Sequence, residues 1–305
     1  MEQSQQAETM ADPQDMDAGK SPPGWRILLT EVLRDKVALF SLLLVVSIMM
    51  IVYLVPLFLS QEEIVRVDLF AIHEPPSSEF WLGTDYGGRD VFGQLIIGTR
   101  NSLTVGIGVT AVSGMIGIIL GVVAGYFGNT VDNIIMRIVD FFFVLPTLLI
   151  VIVFIVIVPQ YTVWSFIFIM SMFLWMGIAR IIRSKALRER ELDYIKASRT
   201  LGSSHLKIIF TQLMPNLSSI IIVTMTLNLA ANIGIESGLS FLGFGFPEET
   251  PSLGTLISYA TNPTTLEERW WIWVPASILI LVLMLSINNV GQALRRAADA
   301  KQRRG

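Results

Sequence analysis

The sequence predicts an all-α protein: an integral membrane bundle of six transmembrane helices with both termini in the cytoplasm. Three observations predict this class. Hydrophobic residues make up 52% of the 305-residue chain and charged residues only 15%, whereas soluble domains are about 25% charged. Several charge-free stretches reach the roughly 20 residues that a membrane-spanning helix needs. Eighteen of the 22 Lys and Arg residues fall in alternate connecting segments, as the positive-inside rule requires.

The charge-free stretches locate the spans, because a charge at the centre of a membrane helix costs about 2.5–3.5 kcal/mol. They place the first span at 37–59, the second at 103–127 and the sixth at 271–287. The gap from Asp140 to Arg180 is too long for one helix and is broken near 159–162, so it holds the third and fourth spans. The fifth lies between Lys207 and Glu236. Pro146 is expected to kink the third span.

The same charges orient the chain and divide its connecting segments. With the N-terminus inside, the outer segments carry only Arg66, Arg89, Arg100 and Arg269. Residues 1–24 are acidic and rich in Gln, Ser and Pro, which predicts a disordered cytoplasmic tail. Residues 60–98 form the first extracytoplasmic loop, and residues 293–305 form a basic cytoplasmic tail.

The second span carries a seam of small residues, Gly114, Gly117, Gly121 and Gly125, most of them at intervals of four. Small residues let helix backbones approach closely in lipid. The seam therefore predicts tight helix packing, either within this chain or against a partner subunit.

The inside segment 190–215 is the longest inner loop and shows a short amphipathic pattern. Leu192, Ile195 and Leu201 fall near helical spacing, Asp193 suits the first turn of a helix, and Gly202 suits its end. A second helical stretch, 206–214, follows and is expected to end at Pro215. Two interpretations stay open: a knob that fits a groove on a cytoplasmic partner, or a helix lying on the inner leaflet.

The spacing of this segment resembles the coupling loop of binding-protein-dependent ABC importers, whose pattern is Glu-Ala-Ala, three residues, Gly, nine residues and Ile-x-Leu-Pro. Gly202 and Pro215 stand at the required separation. Lys196-Ala197-Ser198 replaces Glu-Ala-Ala, with a reversed charge at Lys196, and the residues before Pro215 read Gln-Leu-Met. The resemblance implies that this loop docks into a nucleotide-binding subunit through a set of coupling residues. These are Asp193, Tyr194, Lys196, Ala197, Ser198, Gly202 and Pro215.

Three more stretches resemble one branch of this family, the dipeptide, oligopeptide and nickel permeases, and its C-type member. They are 82–103, 132–146 and 238–254. The resemblance covers roughly residues 37–296 and implies a type I importer fold, with its transmembrane domain at 99–292. One departure is that Gln follows Gly291, where many relatives have an acidic residue. The pattern is most similar to oligopeptide permeases of Gram-positive type, with a dipeptide or nickel-chelate permease as the alternative.

The resemblance implies the partners as well as the fold. A second homologous permease would enclose the transport pathway together with this chain, and both would be surrounded by membrane lipid. Two cytoplasmic ABC ATPases would bind ATP and Mg. An extracytoplasmic peptide-binding protein would deliver peptides. This chain itself would bind no cofactor and no metal and meet no nucleic acid. Its place would be the cytoplasmic membrane of a bacterium, as a multi-pass protein.

Near the outer end of the fifth span, Glu236, Ser240 and Phe241 are candidates for a pathway or gate. Glu236 would either line the pathway, where it could meet a peptide's amino terminus, or be an interfacial carboxylate in water. Phe241 would either form an outer gate or anchor the loop at the interface.

The sequence also excludes several chemistries. It contains no Gly-x-x-x-x-Gly-Lys-[Ser/Thr] loop, no His-Glu-x-x-His helix, no Gly-x-Ser-x-Gly elbow and no cysteine. We therefore expect no catalytic residue and a non-enzymatic chain. An ion-coupled secondary transporter would need charges or broken helices near the midplane, and an intramembrane enzyme would need a nucleophile or a metal site. Both remain weaker alternatives.

Overall fold

The computed structural model describes residues 32–57, 64–158, 162–247 and 250–302. This part of the chain is helical apart from its loops and one isolated antiparallel bridge between Thr84 and Asp90. The helices are α1 (Lys36–Leu54), α2 (Val91–Phe127), α3 (Asn129–Val144), α4 (Thr147–Ile157), α5 (Val163–Glu189), α6 (Asp193–Thr200), α7 (His205–Ile208), α8 (Met214–Phe241), α9 (Leu253–Ser258), α10 (Pro263–Glu268) and α11 (Trp270–Gln302). The predicted acidic tail, 1–24, lies outside the described residues.

Five stretches of the described chain are long and apolar enough to span a membrane. They are Lys36–Leu57, Val91–Phe127, Val163–Glu189, His205–Phe241 and Trp270–Asp299. The pair α3 and α4 makes a sixth if it is one bent span. This confirms the predicted all-α membrane bundle.

The two ends of the described chain meet at one end of the bundle. Asp35 caps α1, and its Oδ1 accepts hydrogen bonds from the backbone of Val37 at 3.0 Å and of Ala38 at 3.2 Å. Its other oxygen pairs with Arg296 near the end of α11. These backbone hydrogen bonds, chiefly that from Ala38, and then Arg296 lower the pKa of Asp35 below its usual value. The segments that border both termini therefore lie on the same side, which we call the basic end.

The second span is longer than its charge-free stretch. α2 begins at Val91, twelve residues before the expected start, because Asp90 accepts hydrogen bonds from the backbone of Phe92 at 3.1 Å and of Gly93 at 2.9 Å. An N-cap of this kind stabilises the start of a helix, because it accepts hydrogen bonds from first-turn backbone N–H groups that have no partner within the helix. The charge-free stretch marks only the part of the helix that lies inside the hydrocarbon. It therefore does not reveal the helical turns that precede this part. α11 likewise runs on to Gln302, well past the expected end of the sixth span at 287.

The glycine seam of α2 packs within this chain. A Cβ added at Gly117 would lie 2.8 Å from the Trp175 carbonyl oxygen, and one at Gly121 would lie 2.7 Å from that of Ala179. Gly125 is equally close to α5, whereas Gly114 faces the flexible end of Met225 on α8. Only residues without a side chain allow the backbones of α2 and α5 to approach this closely.

The third span is broken rather than gently kinked. α3 and α4 meet at Pro146 with a bend of 81°, because a proline pushes the residue before it into an extended conformation, here Leu145 at φ −87° and ψ 139°. α4 has 11 residues and rises about 16 Å, roughly half of a bilayer core of about 30 Å. α3 carries the charges, and Asp140 pairs with Arg180 of α5 at 2.6 Å.

The helix after the inner loop does not end at Pro215 as expected. The span is continuous from His205 to Phe241, and a π-helical turn, Ile209–Leu213, stands just before the proline. Pro215 has no N–H for the carbonyl of Thr211, and its ring would clash with that carbonyl in a regular helix. The wider turn removes the clash.

At the opposite end of the bundle, residues 64–90 and the α9–α10 segment form a packed cap, which we call the loop end. The carboxylate of Asp85 is buried and pairs with Arg89 at 2.8 Å. It also accepts hydrogen bonds from Gln94 at 3.0 Å and from the backbone of Gly87 at 2.8 Å. Trp271 donates from its indole nitrogen to the carbonyl of Thr84 at 3.3 Å, which joins this cap to α11.

Replacing Gly121 by Ala is expected to destabilise the protein by about 1–3 kcal/mol, because the new Cβ would overlap the backbone of α5. Thermal unfolding in detergent measures the change. Gly177→Ala on α5 is the matched control, since no atom lies within 4 Å of its added Cβ and Ala favours helix by up to about 1 kcal/mol. Equal melting temperatures for the two variants would contradict the close α2–α5 contact.

Candidate functional site

The short helix predicted in the inner segment is present at the basic end, and one buried side chain attaches it to the bundle. We call residues 190–210 the knob. Within α6, Ile195 is fully buried against Ile182 of α5 and Ile208 of α7. Leu192 and Leu201, which share its helical spacing in the sequence, are exposed instead. One apolar residue therefore fixes α6 to the bundle, and the others face outwards.

Gly202 ends α6 in a left-handed conformation, at φ +76°. The backbone of Ser203 donates to the Ser198 carbonyl at 3.1 Å, and that of Gly202 donates to the Arg199 carbonyl at 3.0 Å. This pair of hydrogen bonds is the Schellman motif, which favours glycine because other residues are strained there. The predicted glycine corner is confirmed, and it turns the chain back towards α7.

Polar contacts hold α6 against α5 and α8. The Tyr194 hydroxyl donates to Glu189 at 3.1 Å and accepts from Asn216 at 2.8 Å. Burial and then the charge of Glu189 raise the pKa of Tyr194 to about 12, so it keeps its proton. Ser198 accepts from the side chain of Gln212 at 2.7 Å. The knob is therefore fixed at both of its ends.

The remaining predicted coupling residues lie in different environments. Lys196 is exposed and pairs with Glu191 at 3.4 Å, and an ion pair in water adds little to stability. Hydrogen bonding to Lys196 and then to Arg190 lowers the pKa of Glu191. Asp193 stands in the first turn of α6, as expected, and Ala197 is exposed. Pro215 lies beyond the knob, at the start of α8.

A second link, which the sequence did not reveal, joins the knob to α2. Tyr126 is almost fully buried, and its hydroxyl lies 3.0 Å from Nδ1 of His205. The guanidinium of Arg199 stands over the Tyr126 ring at 4.6 Å from its centroid. No pattern in the sequence points to His205, because only the fold brings it to the end of α2.

Three large apolar side chains of the knob are exposed among its charged residues. Leu201 is 84% exposed, and Leu206 and Phe210 are each 68% exposed. Contiguous exposed apolar side chains mark surfaces that contact another molecule. These three side chains are therefore left uncovered by the described residues.

Glu236 is placed differently from what the sequence suggested. Its side chain is fully buried, so the expectation of an interfacial carboxylate in water is wrong. Its oxygens accept hydrogen bonds from Ser240 at 2.8 Å and Ser237 at 3.1 Å, and Ser102 and Ser252 also contact it. Ser240 follows Glu236 by four residues, so the sequence alone indicates that these two side chains are neighbours on a helix. Ser102 and Ser252 come from distant segments, and only the fold brings them to Glu236.

Phe241 is partly exposed and lines a cavity of about 720 Å³ between α4, α8 and α11. The wall of this cavity is apolar and includes Leu148, Gly234, Leu242 and Met284. Glu236 and Ser240 do not line it. A role of all three residues in a pathway or gate remains a prediction.

Comparisons with known proteins agree along most of the chain. The sequence profile of the family described as "Binding-protein-dependent transport system inner membrane component" matches residues 117–304. The oligopeptide transport system permease protein OppC of Lactococcus lactis is 46% identical over 89% of this chain and 93% of its own length. AmiD of Streptococcus pneumoniae, named an oligopeptide transport system permease protein, is 37% identical over 92% of this chain and 91% of its own.

A solved structure supports the fold alone. A chain of the MetNI methionine ABC transporter, in an inward-facing conformation, aligns with a TM-score of 0.55 at 20% identity. The alignment covers 68% of this chain and 97% of that one. With the knob, the helical bundle and these relatives together, the chain belongs to the family of binding-protein-dependent transport system inner membrane components.

Proposed function

We propose that this chain is the permease subunit of an ABC importer that moves oligopeptides across the bacterial cytoplasmic membrane. The observation that carries the proposal is the 46% identity to an oligopeptide permease along 89% of the chain. A dipeptide importer is the second candidate, since DppC of Bacillus subtilis, a dipeptide permease, is 37% identical over the same share. A nickel-chelate permease remains the further alternative within the family.

In this proposal the basic end faces the cytoplasm. Eighteen of the 22 Lys and Arg residues then lie inside, in agreement with the positive-inside rule. The contact between Asp35 and Arg296 supports an even number of crossings, because it joins the segments that border both termini. The loop end then faces outwards, where an extracytoplasmic peptide-binding protein would deliver its cargo.

The knob is the proposed docking site for a cytoplasmic ATPase subunit. Its exposed apolar side chains, Leu201, Leu206 and Phe210, would enter a groove on that partner, and Lys196 and Ala197 would lie at the rim. Hydrolysis would take place on the partner, which would bind ATP and Mg. Because α6 is bonded to α5 and α8, and Tyr126 joins it to α2, closure of the ATPases would move these helices together.

A second, homologous permease would complete the pathway. The apolar cavity beside Phe241 lies between α4, α8 and α11 and is open on one side, so it could face the pathway that the two subunits enclose. The exposed apolar side chains of α3 and α4, such as Phe141 and Leu149, would contact that partner or lipid. The bend at Pro146 brings α4 to this face.

Replacing Gly202 by Pro is expected to abolish co-purification of the ATPase subunits, because proline cannot adopt a positive φ and removes the N–H that closes the corner. A pull-down of the tagged chain in detergent measures bound ATPase and peptide-stimulated ATP hydrolysis. Gly243→Pro is the matched control: Gly243 ends α8 at φ +85° with the same hydrogen-bond pattern, at the other end of the bundle. Loss of ATPase in both variants, or in neither, would contradict the proposed docking site.

Replacing Tyr126 by Phe is expected to leave the ATPases bound but to lower the number of peptides imported per ATP by roughly two- to tenfold. The variant keeps the ring beneath Arg199 and loses only the hydrogen bond to His205, which contributes about 0.5–1.5 kcal/mol. Import and hydrolysis are measured together in proteoliposomes. Tyr53→Phe is the control, since Tyr53 makes a similar bond at 2.9 Å to Thr104, away from the knob. If Tyr126→Phe imports as many peptides per ATP as wild type, the hydrogen bond between Tyr126 and His205 has no role in coupling ATP hydrolysis to import.

A further inference from the structure

A small polar cavity at the loop end has no role in the function proposed so far. It has a volume of about 320 Å³, at the lower limit of pockets that hold small molecules. Residues of the first loop form one wall, and the segment from α9 to the start of α11 forms the other. The lining residues are His73, Tyr86, Ser258, Tyr259, Thr261, Asn262, Thr265, Arg269 and Ile272.

Two basic side chains meet in this cavity. Nη1 of Arg269 lies 2.9 Å from Nε2 of His73. Burial and then the positive charge of Arg269 lower the pKa of His73 below its usual value, so its imidazole is neutral at pH 7. A neutral ring whose Nε2 accepts from Arg269 carries its hydrogen on Nδ1, and this buried atom has no partner among the described residues.

No acidic residue in the described ranges forms an ion pair with Arg269, and none lines the cavity. The carboxylate whose charge affects His73 is Asp85, which is fully buried and already bonded to Arg89 and Gln94. His73 is the one hydrogen-bond partner of the Arg269 side chain among the described residues, so most of its five N–H groups remain for a ligand.

The other polar groups of the cavity also suit an anion. Burial raises the pKa of Tyr259 well above its usual value, so the hydroxyl keeps its proton. Asn262 caps α10 with its side-chain oxygen, which accepts from Thr264 at 3.0 Å, and this leaves its amide nitrogen as a donor. His73 is held in an unusual left-handed backbone conformation, at φ 56°, and its N–H bonds to the carbonyl of Asp85 at 3.0 Å. The imidazole that orients Arg269 is therefore fixed by the packed loop.

We propose that this cavity is a binding site for a carboxylate, anchored by Arg269, and that its ligand is the free carboxyl end of a peptide. A guanidinium binds a carboxylate through two parallel hydrogen bonds, which gives direction as well as affinity. The volume admits about one terminal residue, with the rings of Tyr86 and Tyr259 beside it. The choice of a peptide rests on the proposed function, whereas the carboxylate site rests on the cavity itself.

The test measures binding of trialanine to the full transporter complex in lipid nanodiscs by calorimetry. Trialanine with a free carboxyl end, its C-terminal amide and acetate are compared on wild type, Arg269→Gln and Arg66→Gln. Arg66 is an exposed arginine that lies at the loop end but outside the cavity, so its variant removes the same charge elsewhere. Arg269→Lys, which keeps the charge but not the two-pronged geometry, tests the anchor if Arg269→Gln folds poorly.

The free acid is expected to bind wild type and Arg66→Gln equally and Arg269→Gln at least about tenfold more weakly, with Arg269→Lys between them. The amide is expected not to bind at this site. Equal binding of acid and amide, equal losses in Arg66→Gln and Arg269→Gln, or no saturable binding of the acid would each overturn the proposal. Arg269-dependent binding of acetate without trialanine would overturn the peptide as ligand. Co-purification of the ATPases, scored in parallel, tests the proposed function separately.

Discussion

The close contact between α2 and α5 is the constraint on which the rest of the structure depends. Lipid supplies no hydrophobic force between two apolar helices, so their association depends on packing at short range. Gly117, Gly121 and Gly125 supply that packing by removing the side chains that would separate the backbones. α2 has 37 residues and is about 55 Å long, which exceeds the thickness of a bilayer, roughly 40–45 Å.

Both ends of the bundle are attached to this rigid pair. At the basic end, the knob rests on α5 through Ile195 and on the last turn of α2 through Tyr126 and His205. At the loop end, α2 starts at Asp90, directly after the buried pair of Asp85 and Arg89. A force on the knob therefore meets a continuous, closely packed element rather than a flexible loop, which is the arrangement that a rigid-body transition requires.

The two ends differ in how their charges are satisfied. The buried Asp85–Arg89 pair has further hydrogen bonds, so burial leaves few unpaired groups there. Within the part of the chain that the structure describes, the Arg269 side chain has a neutral histidine as its hydrogen-bond partner and forms no ion pair, which is an incomplete arrangement for a partly buried cation. The knob has exposed apolar groups instead, since the described residues leave Leu201 and Phe210 uncovered. Each end thus has one set of groups that lacks a partner among the described residues.

The sequence by itself determined the helical membrane class, the approximate spans, the kink at Pro146 and the glycine corner at 202, because charge cost, proline geometry and left-handed backbone act locally. The tertiary structure decided what depends on residues far apart in the chain. It placed Glu236 among Ser102 and Ser252, brought His205 to Tyr126 and set Arg269 against His73. It also continued the helix through Pro215, since a π turn, which no pattern in the sequence indicated, removes the local clash. Side chains from distant segments meet only after the helices have packed, so spacing along one chain cannot reveal them.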